Sequence, residues 1–411
     1  MKHRIVGLLL GAGILIAATQ PAAAGSPGAQ EAGVALPPLT VAEGCNRFAF
    51  DLYARLKAEE GNLFLSPYSI STALTMTYGG ARGETAEQMA QVLRLPATGE
   101  AVHGAYGALQ KDLNAAGAGG AFELAVANRL WGQKGYGFLP AFLGLVKVNY
   151  GAGLEQVDFA GATEAARQAI NAWIEKQTRD KIQELLKPDV LNPEVRLVLT
   201  NAIYFKGKWA EEFDKKATRE EDFFLTPETK VAAPLMHRTA EFGYFETDDL
   251  QALELPYQGD RLSMVVLLPK AKDGLAVLEA SLSSDKVAEW VGKLHRREVQ
   301  VALPRFKTTA EFSLGDTLVA MGMTDAFGRS ADFSGMTGTK DLFISAVIHK
   351  AFVDTSEEGT EAAAATAVVM ERMAMPEPAP VFRADHPFLF LIRDTRSGAI
   401  LFLGRILDPT K

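Results

Sequence analysis

Apolar residues recur at helical spacing through the first part of the chain. Residues 45–59 and 163–186 both carry apolar side chains every three or four positions, which predicts amphipathic helices. The pair Ser66-Pro67 predicts the start of another helix, because serine caps a helix N-terminus and proline suits its first turn. The first part of the chain is therefore predicted to be mostly helical.

The later part of the chain is rich in β-branched and aromatic runs of strand length. Several of these runs are apolar throughout, which is typical of strands buried on both faces. The runs are residues 195–205, 262–268, 299–303, 342–353 and 388–392. Helices grouped first and strands grouped later indicate an α+β fold.

The N-terminal residues have the pattern of a secretory signal peptide. A basic start at residues 2–4 is followed by an apolar run and by three alanines at 22–24, which suit a cleavage site. We expect residues 1–24 to be a signal peptide and residues 25–40, rich in Gly, Ser, Pro and Ala, to be a flexible leader. The protein is thus predicted to be secreted, to an extracellular or a periplasmic location.

Composition excludes several classes of partner. The 411 residues carry a formal net charge of −8, which gives no support for binding nucleic acid. Outside the N-terminus no apolar stretch is long enough to span a membrane. Cys45 is the single cysteine, so neither an intramolecular disulfide nor a cysteine-built metal cluster is possible. We expect no metal and no cofactor.

Motifs for catalysis are missing from the sequence. It contains no G-x-S-x-G nucleophile elbow, no H-E-x-x-H zinc pair and no P-loop. Serine, histidine and aspartate are all present, but a triad assembles in space and spacing alone does not reveal one. We therefore expect a protein that is not an enzyme.

Residues 357–380 have conflicting local preferences. Their alanines favour a helix, and prolines follow. At a period of two, however, the same residues separate into an uncharged, mostly small face and a face that carries Glu361 and Glu371. The uncharged face consists of Thr360, Ala362, Ala364, Thr366, Val368 and Met370. Helix, loop and strand all remain open for this segment, and such conflict is expected where a segment changes conformation.

The sequence resembles the serpin family over residues from about 45 to 411. The stretch 357–367 is similar to the reactive-loop hinge of inhibitory serpins, and residues 200–209 resemble the central strand with the tryptophan that follows it. Further similar blocks occur in the family order. They are Ser66-Pro67-Tyr68-Ser69-Ile70, Leu303-Pro304-Arg305-Phe306, Asp332-Phe333-Ser334-Gly335, His349-Lys350, His386-Pro387-Phe388 and Gly404-Arg405-Ile406-Leu407-Asp408-Pro409.

This resemblance implies one serpin domain at residues 41–411, with three β-sheets, about nine helices and an exposed reactive-centre loop at about 357–380. A target serine protease would cleave the loop and become attached as an acyl-enzyme, and the freed hinge would insert into the central sheet. That insertion is a known example of strand addition. The rival class is a non-inhibitory serpin that acts as a carrier or chaperone. Proline or charge on the inserting face would block insertion. Residues 359–370 contain no proline and their inserting face is uncharged, which favours an inhibitor.

The resemblance also assigns roles to individual residues. The shutter, a polar cluster beneath the central sheet, would contain Ser66, Ser69, Asn201 and His349. The breach, where the hinge enters the sheet, would contain Trp209 and Arg305, with Arg305 paired to Glu357. The hinge would comprise Glu357, Gly359, Thr360, Glu361, Ala362, Ala363, Ala364 and Ala365. For each shutter residue, an ordinary hydrogen-bonded core group remains the alternative.

The reactive bond is predicted at Met373-Ala374. Inhibitory serpins usually have about seventeen residues from the hinge glutamate to the residue before the cut, and a count from Glu357 reaches Met373. Methionine suits elastase-like, chymotrypsin-like or subtilisin-like proteases. The alternative is Arg372-Met373, which would direct the inhibitor to trypsin-like enzymes. Residues 99–114 offer few basic side chains, so we expect that glycosaminoglycans do not activate the inhibitor. We also expect the protein to be a monomer.

Overall fold

Helices dominate the first part of the described chain, as the apolar spacing predicts. The computed structural model describes residues 38–118, 120–151, 153–359 and 378–411. A 3₁₀ turn at Asp325–Phe327 accompanies the α-helices. The helices are α1 (Pro38–Leu56), α2 (Pro67–Tyr78), α3 (Gly83–Val92), α4 (Glu100–Gly117), α5 (Pro140–Tyr150), α6 (Thr163–Gln177), α7 (Leu275–Ser281), α8 (Ser284–Gly292), α9 (Gly315–Ala320) and α10 (Ser334–Thr337).

Strands follow at all five predicted runs, and further strands flank them. They are β1 (Leu63–Leu65), β2 (Phe122–Gln133), β3 (Leu154–Val157), β4 (Leu197–Gly207), β5 (Arg219–Phe224), β6 (Lys230–Glu246) and β7 (Leu250–Pro256). The others are β8 (Leu262–Pro269), β9 (His295–Pro304), β10 (Phe306–Ser313), β11 (Ala346–Thr355), β12 (Val381–Arg383), β13 (Phe388–Asp394) and β14 (Ile400–Ile406). The α+β class is therefore confirmed.

Two predicted boundaries differ from the structure. The flexible leader was expected to extend to residue 40, but α1 begins at Pro38. The helix expected at 163–186 ends at Gln177, because Arg179 and Asp180 adopt φ of 51° and 60°, which no α-helix accommodates. The remainder of that segment is held instead by the side-chain amide of Asn171. Its Nδ2 donates to the carbonyl oxygen of Leu186, and its Oδ1 accepts from the backbone N–H of Leu186.

A five-stranded sheet has the order β10-β11-β4-β2-β3. Its central pair, β11 and β4, is parallel, whereas β10 and β2 pair antiparallel to their inner neighbours. Helix α6 packs on one face of this sheet, and its Ile170 and Ile174 share one core cluster with Val198 and Ala202 of β4. The opposite face carries Leu199 and Ile203 into the remaining core.

The other strands form one nine-stranded hydrogen-bonded sheet. Its long strand β6 pairs with β5 at its start, with β9 through its middle and with β7 at its end, so it links these three strands in one sheet. All described residues lie in one compact unit, Ala35–Lys411. Among the described helices, none is long and apolar enough to cross a membrane.

Candidate functional site

Helix α2 is fully buried although five of its twelve residues are serine or threonine, and it brings two serines beneath the five-stranded sheet. Ser66 is its N-cap, and the Ser66 hydroxyl accepts a hydrogen bond from the backbone N–H of Ser69 at 3.2 Å. The same hydroxyl donates to the carbonyl oxygen of Leu401 at 2.6 Å. The predicted helix start is confirmed, and it explains why serine rather than an apolar residue stands at position 66.

The four predicted shutter residues lie together in one buried network. Asn201 donates through Nδ2 to the Ser69 hydroxyl at 2.6 Å, and His349 Nδ1 lies against Asn201 Oδ1. The backbone N–H of Ser66 donates to His349 Nε2 at 3.1 Å, which closes the network. Asn201 and His349 are also direct partners in the β4–β11 ladder, at its central residue pair. The network therefore spans the junction between these two strands.

The contacts of His349 fix its protonation state. Because Nε2 accepts a hydrogen bond from a backbone N–H, the proton must reside on Nδ1, which donates to Asn201 Oδ1. The ring is fully buried and stacks on Phe312, with centroids 6.3 Å apart. Burial lowers the pKa of His349 to about 3. A neutral histidine is thus part of the network at every ordinary pH.

Strands β4 and β11 separate towards one end of the sheet. Their pairing stops at Phe352 and Tyr204, although β11 continues to Thr355 and β4 to Gly207. Among the described strands, the last three residues of β11 and β4 keep only their outer neighbours, β10 and β2 respectively. A gap between two parallel strands therefore opens at the predicted breach.

The chain reverses direction just after β11. Ser356 and Gly359 exchange backbone hydrogen bonds of 2.8 and 3.1 Å, and Gly359 forms an antiparallel bridge with Lys208. Gly359 has φ of +106°, and a Cβ there would lie 2.4 Å from the carbonyl oxygen of Gly207. Only glycine fits this conformation and this close approach. At Gly359 the chain therefore runs antiparallel to the end of β4.

The predicted breach tryptophan lies against this turn. The Trp209 indole stacks on Tyr257 at 4.6 Å between centroids, and its Nε1 donates to the carbonyl oxygen of Ser356 at 2.9 Å. The backbone N–H of Trp209 donates to the carbonyl oxygen of Glu358 at 3.2 Å. Trp209 is therefore a hydrogen-bonded support of the turn as well as a core residue.

The predicted ion pair between Glu357 and Arg305 is present. Nε and Nη2 of Arg305 donate to Oε2 of Glu357 at 2.8 and 2.6 Å, and the Thr218 hydroxyl donates to Oε1 at 2.6 Å. Burial alone would raise the pKa of Glu357, but the hydrogen bonds from Arg305 and Thr218 outweigh it and hold the pKa below its ordinary value. Glu357 is therefore an ionised carboxylate inside the breach.

Three contacts were not found from the sequence. Asn128 of β2 belongs to the shutter network, since its Oδ1 accepts from the Ser69 hydroxyl at 2.9 Å. Thr218 contacts Glu357, and Lys215 forms an ion pair with Glu358. The rest of the predicted hinge (Thr360, Glu361, Ala362, Ala363, Ala364 and Ala365) and both alternative reactive bonds (Arg372, Met373 and Ala374) lie outside the described residues.

Comparison with protein families identifies this architecture. The family model described as "Serpin (serine protease inhibitor)" matches residues 43–409. The chain belongs to the serpin family. The match covers the breach, the shutter and the segment between β11 and β12, so the predicted resemblance is confirmed.

Similar proteins support the same family. The leukocyte elastase inhibitor of Bos taurus is 46% identical over 373 residues, which cover 88% of this chain and 98% of that protein. A serpin-like protein of Thermococcus kodakarensis is 44% identical, over 90% of this chain and 86% of that one. The crystal structure of uncleaved ovalbumin matches with a TM-score of 0.82 and 32% identity, over 90% of this chain and all of that one. The prediction of a protease inhibitor rather than an enzyme is confirmed.

The predicted secretion is wrong. The leukocyte elastase inhibitors of Bos taurus, Homo sapiens and Sus scrofa, each 46% identical to this chain, are intracellular serpins without a signal peptide. The prediction rested on the basic and apolar pattern of residues 1–24, which lie outside the described residues, as does most of the leader predicted at 25–40. A basic and apolar pattern of this kind does not by itself establish export.

Proposed function

We propose that this protein is a suicide-substrate inhibitor of serine proteases, and that its cleaved loop inserts between β4 and β11. The observation that carries the proposal is the antiparallel bridge between Gly359 and Lys208, beside two parallel strands that have already separated. A strand that continued from Gly359 would run antiparallel to both neighbours. It would replace one parallel ladder by two antiparallel ladders, which are slightly more stable per residue.

The bridge also suggests a register for the inserted strand. If pairing continues from Gly359 and Lys208, Thr360 would lie opposite Gly207 and Thr366 opposite Asn201. Odd-numbered residues of β4, such as Leu199 and Ile203, face the core away from α6. Residues directly opposite one another share a face, so the uncharged, even-numbered residues of the loop would enter the core. Thr366 would then reach the shutter network, where a hydroxyl has polar partners.

The charged residues of the loop fit the same register. Glu361 would lie opposite Lys206 and Glu371 opposite Arg196, both on the face away from the main core. Opposite charges at paired positions are favourable across a sheet. Both charged residues of the range 360–371, Glu361 and Glu371, would therefore lie opposite a basic residue. This supports insertion as far as Glu371.

Insertion supplies enough free energy to trap a protease. Each of about a dozen new strand residues gains about 0.5–1.5 kcal/mol from hydrogen bonding, or about 10 kcal/mol in total. Slowing deacylation about a millionfold needs about 8 kcal/mol. The cost includes opening the seven residue pairs of the β4–β11 ladder, which the two new ladders more than replace.

We propose Met373-Ala374 as the reactive bond, with Arg372-Met373 as the alternative. Methionine suits the apolar primary pockets of elastase-like, chymotrypsin-like or subtilisin-like enzymes. The name of the leukocyte elastase inhibitors, at 46% identity, supports elastase-like targets. The proposal requires neither a cofactor nor a glycosaminoglycan, and a monomer suffices.

A protease panel tests the proposal. The protein is incubated with pancreatic elastase, chymotrypsin, subtilisin and trypsin, and the products are separated on denaturing gels. We expect a band at the summed mass that survives SDS, and a released peptide that begins at Ala374. Cleaved protein without any such band would identify a carrier or chaperone instead. A released peptide that begins at Met373 with every inhibited protease would assign the bond to Arg372.

A further inference from the structure

The residues that follow β4 hold the carbonyl groups of the hinge turn. Trp209 donates to Ser356 through its indole and to Glu358 through its backbone, and the backbone N–H of Phe213 donates to the carbonyl oxygen of Glu357 at 2.8 Å. Three successive carbonyl groups of the turn thus depend on this segment, residues 208–218. Beyond the bridges at 208 and 209, the segment has no regular secondary structure before β5.

Two ion pairs hold the turn from opposite sides. Arg305 lies between β9 and β10, so its bond to Glu357 attaches the turn to the β10–β11 side. Lys215 lies in the segment that follows β4, so its ion pair with Glu358 attaches the turn to the β4 side. These are the two sides that separate when a strand enters the sheet.

The pair on the β4 side is partly shielded from water. The Glu358 side chain is 13% exposed, whereas Lys215 is 62% exposed. Their hydrogen bond raises the pKa of Lys215 above its ordinary value, so the lysine is charged throughout the physiological range. The pair therefore joins a partly shielded carboxylate to an exposed lysine, and the lysine can be replaced without disturbing the core.

We infer that Lys215 is a positioning residue, which holds the Ser356–Gly359 turn against β4 so that the first residue pair of the inserting strand exists before the loop is cleaved. This inference rests on the proposed inhibitory function. The conformational entropy of the turn is then lost in the resting state rather than during insertion. Insertion begins from the Gly359–Lys208 bridge and needs only to propagate. Without the tether, the bridge forms less often, and deacylation has more time to compete.

The test measures how the reaction divides between trapping and release. Lys215→Gln is compared with the unmodified protein against pancreatic elastase. We expect the ratio of cleaved, released inhibitor to covalent complex, which is the stoichiometry of inhibition minus one, to rise about two- to fivefold, the range for loss of a partly exposed ion pair. The rate constant for the first cleavage should not change, because cleavage precedes the insertion step on which Lys215 acts. Lys216→Gln removes the same charge from the next exposed residue and should leave the stoichiometry unchanged.

Rescue separates positioning from a general effect on folding. Lys215→Arg should keep the stoichiometry near that of the unmodified protein, and the exchange of charges in Lys215→Glu with Glu358→Lys should restore it relative to Lys215→Glu alone. Equal stoichiometry for Lys215→Gln and the unmodified protein, an equal rise for Lys216→Gln, or no rescue would each overturn the inference. If the unmodified protein itself forms no SDS-stable complex, the proposed function fails instead.

Discussion

The Arg305–Glu357 pair predicts an unequal cost for its two single substitutions. The Glu357 side chain is 1% exposed, whereas that of Arg305 is 44% exposed. Arg305→Ala leaves a buried carboxylate with Thr218 as its remaining side-chain donor. Glu357→Gln leaves an arginine that water already reaches. Arg305→Ala, which leaves a buried charge without its partner, should therefore lower the stability more than Glu357→Gln.

The structure sets the size of this difference. Removing one partner of a fully buried pair costs about 3–5 kcal/mol, and an exposed pair contributes about 0–1 kcal/mol. Because water reaches Arg305, we expect Arg305→Ala to cost about 2–3 kcal/mol. Glu357→Gln should cost about 1 kcal/mol, since the amide oxygen still accepts a hydrogen bond. Both changes release the turn from the β10–β11 side, so both should increase polymerisation.

The assay combines thermal unfolding with native gels after incubation at a temperature just below the transition. Arg305→Ala should unfold about 1–3 °C below Glu357→Gln and should form polymers faster. Arg305→Lys is the matched control, because it keeps the charge and should fall between the unmodified protein and Arg305→Ala. An equal or larger loss for Glu357→Gln would refute the reasoning, since it would mean that no buried carboxylate is stranded.

The remaining predictions concern the loop, the turn and pH. Thr360→Arg should turn the inhibitor into a substrate, because insertion would bury a charge at a cost of several kcal/mol; an unchanged yield of covalent complex would contradict this. Gly359→Ala should raise the stoichiometry of inhibition and lower the thermal midpoint, because Cβ would meet the Gly207 carbonyl at 2.4 Å; a Gly398→Ala variant, also at positive φ but in open space, serves as the control. Oxidation of Met373 to the sulfoxide should weaken inhibition of elastase, and a Met373→Leu variant should resist the oxidant. Burial lowers the pKa of His349 to about 3 and that of His103 to about 4, while the unfolded chain protonates near 6.5. The free energy of unfolding should therefore fall from pH 7 to pH 5 by about 2 kcal/mol for each histidine. When it is measured from urea unfolding curves, His349→Gln should remove about half of this combined fall.

The sequence predicted elements best where one local signal sufficed. Serine before proline predicted the start of α2, and the Ser66 cap is present. The apolar run at 195–205 predicted β4 within two residues of its observed ends. The end of α6 was missed because Arg179 and Asp180 take left-handed conformations that neither residue type signals. Such conformations depend on distant contacts, here the bonds between Asn171 and Leu186.

In the candidate site, too, the sequence did not predict residues whose contacts are distant along the chain. The Arg305–Glu357 pair was expected because each residue occupies a recognisable block of the resemblance. Asn128 and Lys215 occupy no such block, and their partners lie 59 and 143 positions away along the chain. An asparagine on a strand and a lysine in a loop are both common on surfaces. Only the fold shows that one is buried beneath the sheet and that the other pairs with a shielded carboxylate.

The predicted shutter and breach residues lie along one structural element, the parallel ladder between β4 and β11. Beyond Phe352 and Tyr204 the ladder is already open, and Gly359 forms an antiparallel bridge with Lys208 at that end. At the centre of the ladder, Asn201 and His349 join the two strands through their side chains and tie them to α2. An inserting strand must therefore open pairs in order from Phe352 and Tyr204 towards the polar junction, and there it must break buried hydrogen bonds. A threonine at position 366 would arrive at that junction in the register of the Gly359–Lys208 bridge. The Thr366 hydroxyl, between Ala364 and Val368 on the inner face, would replace hydrogen bonds that insertion removes.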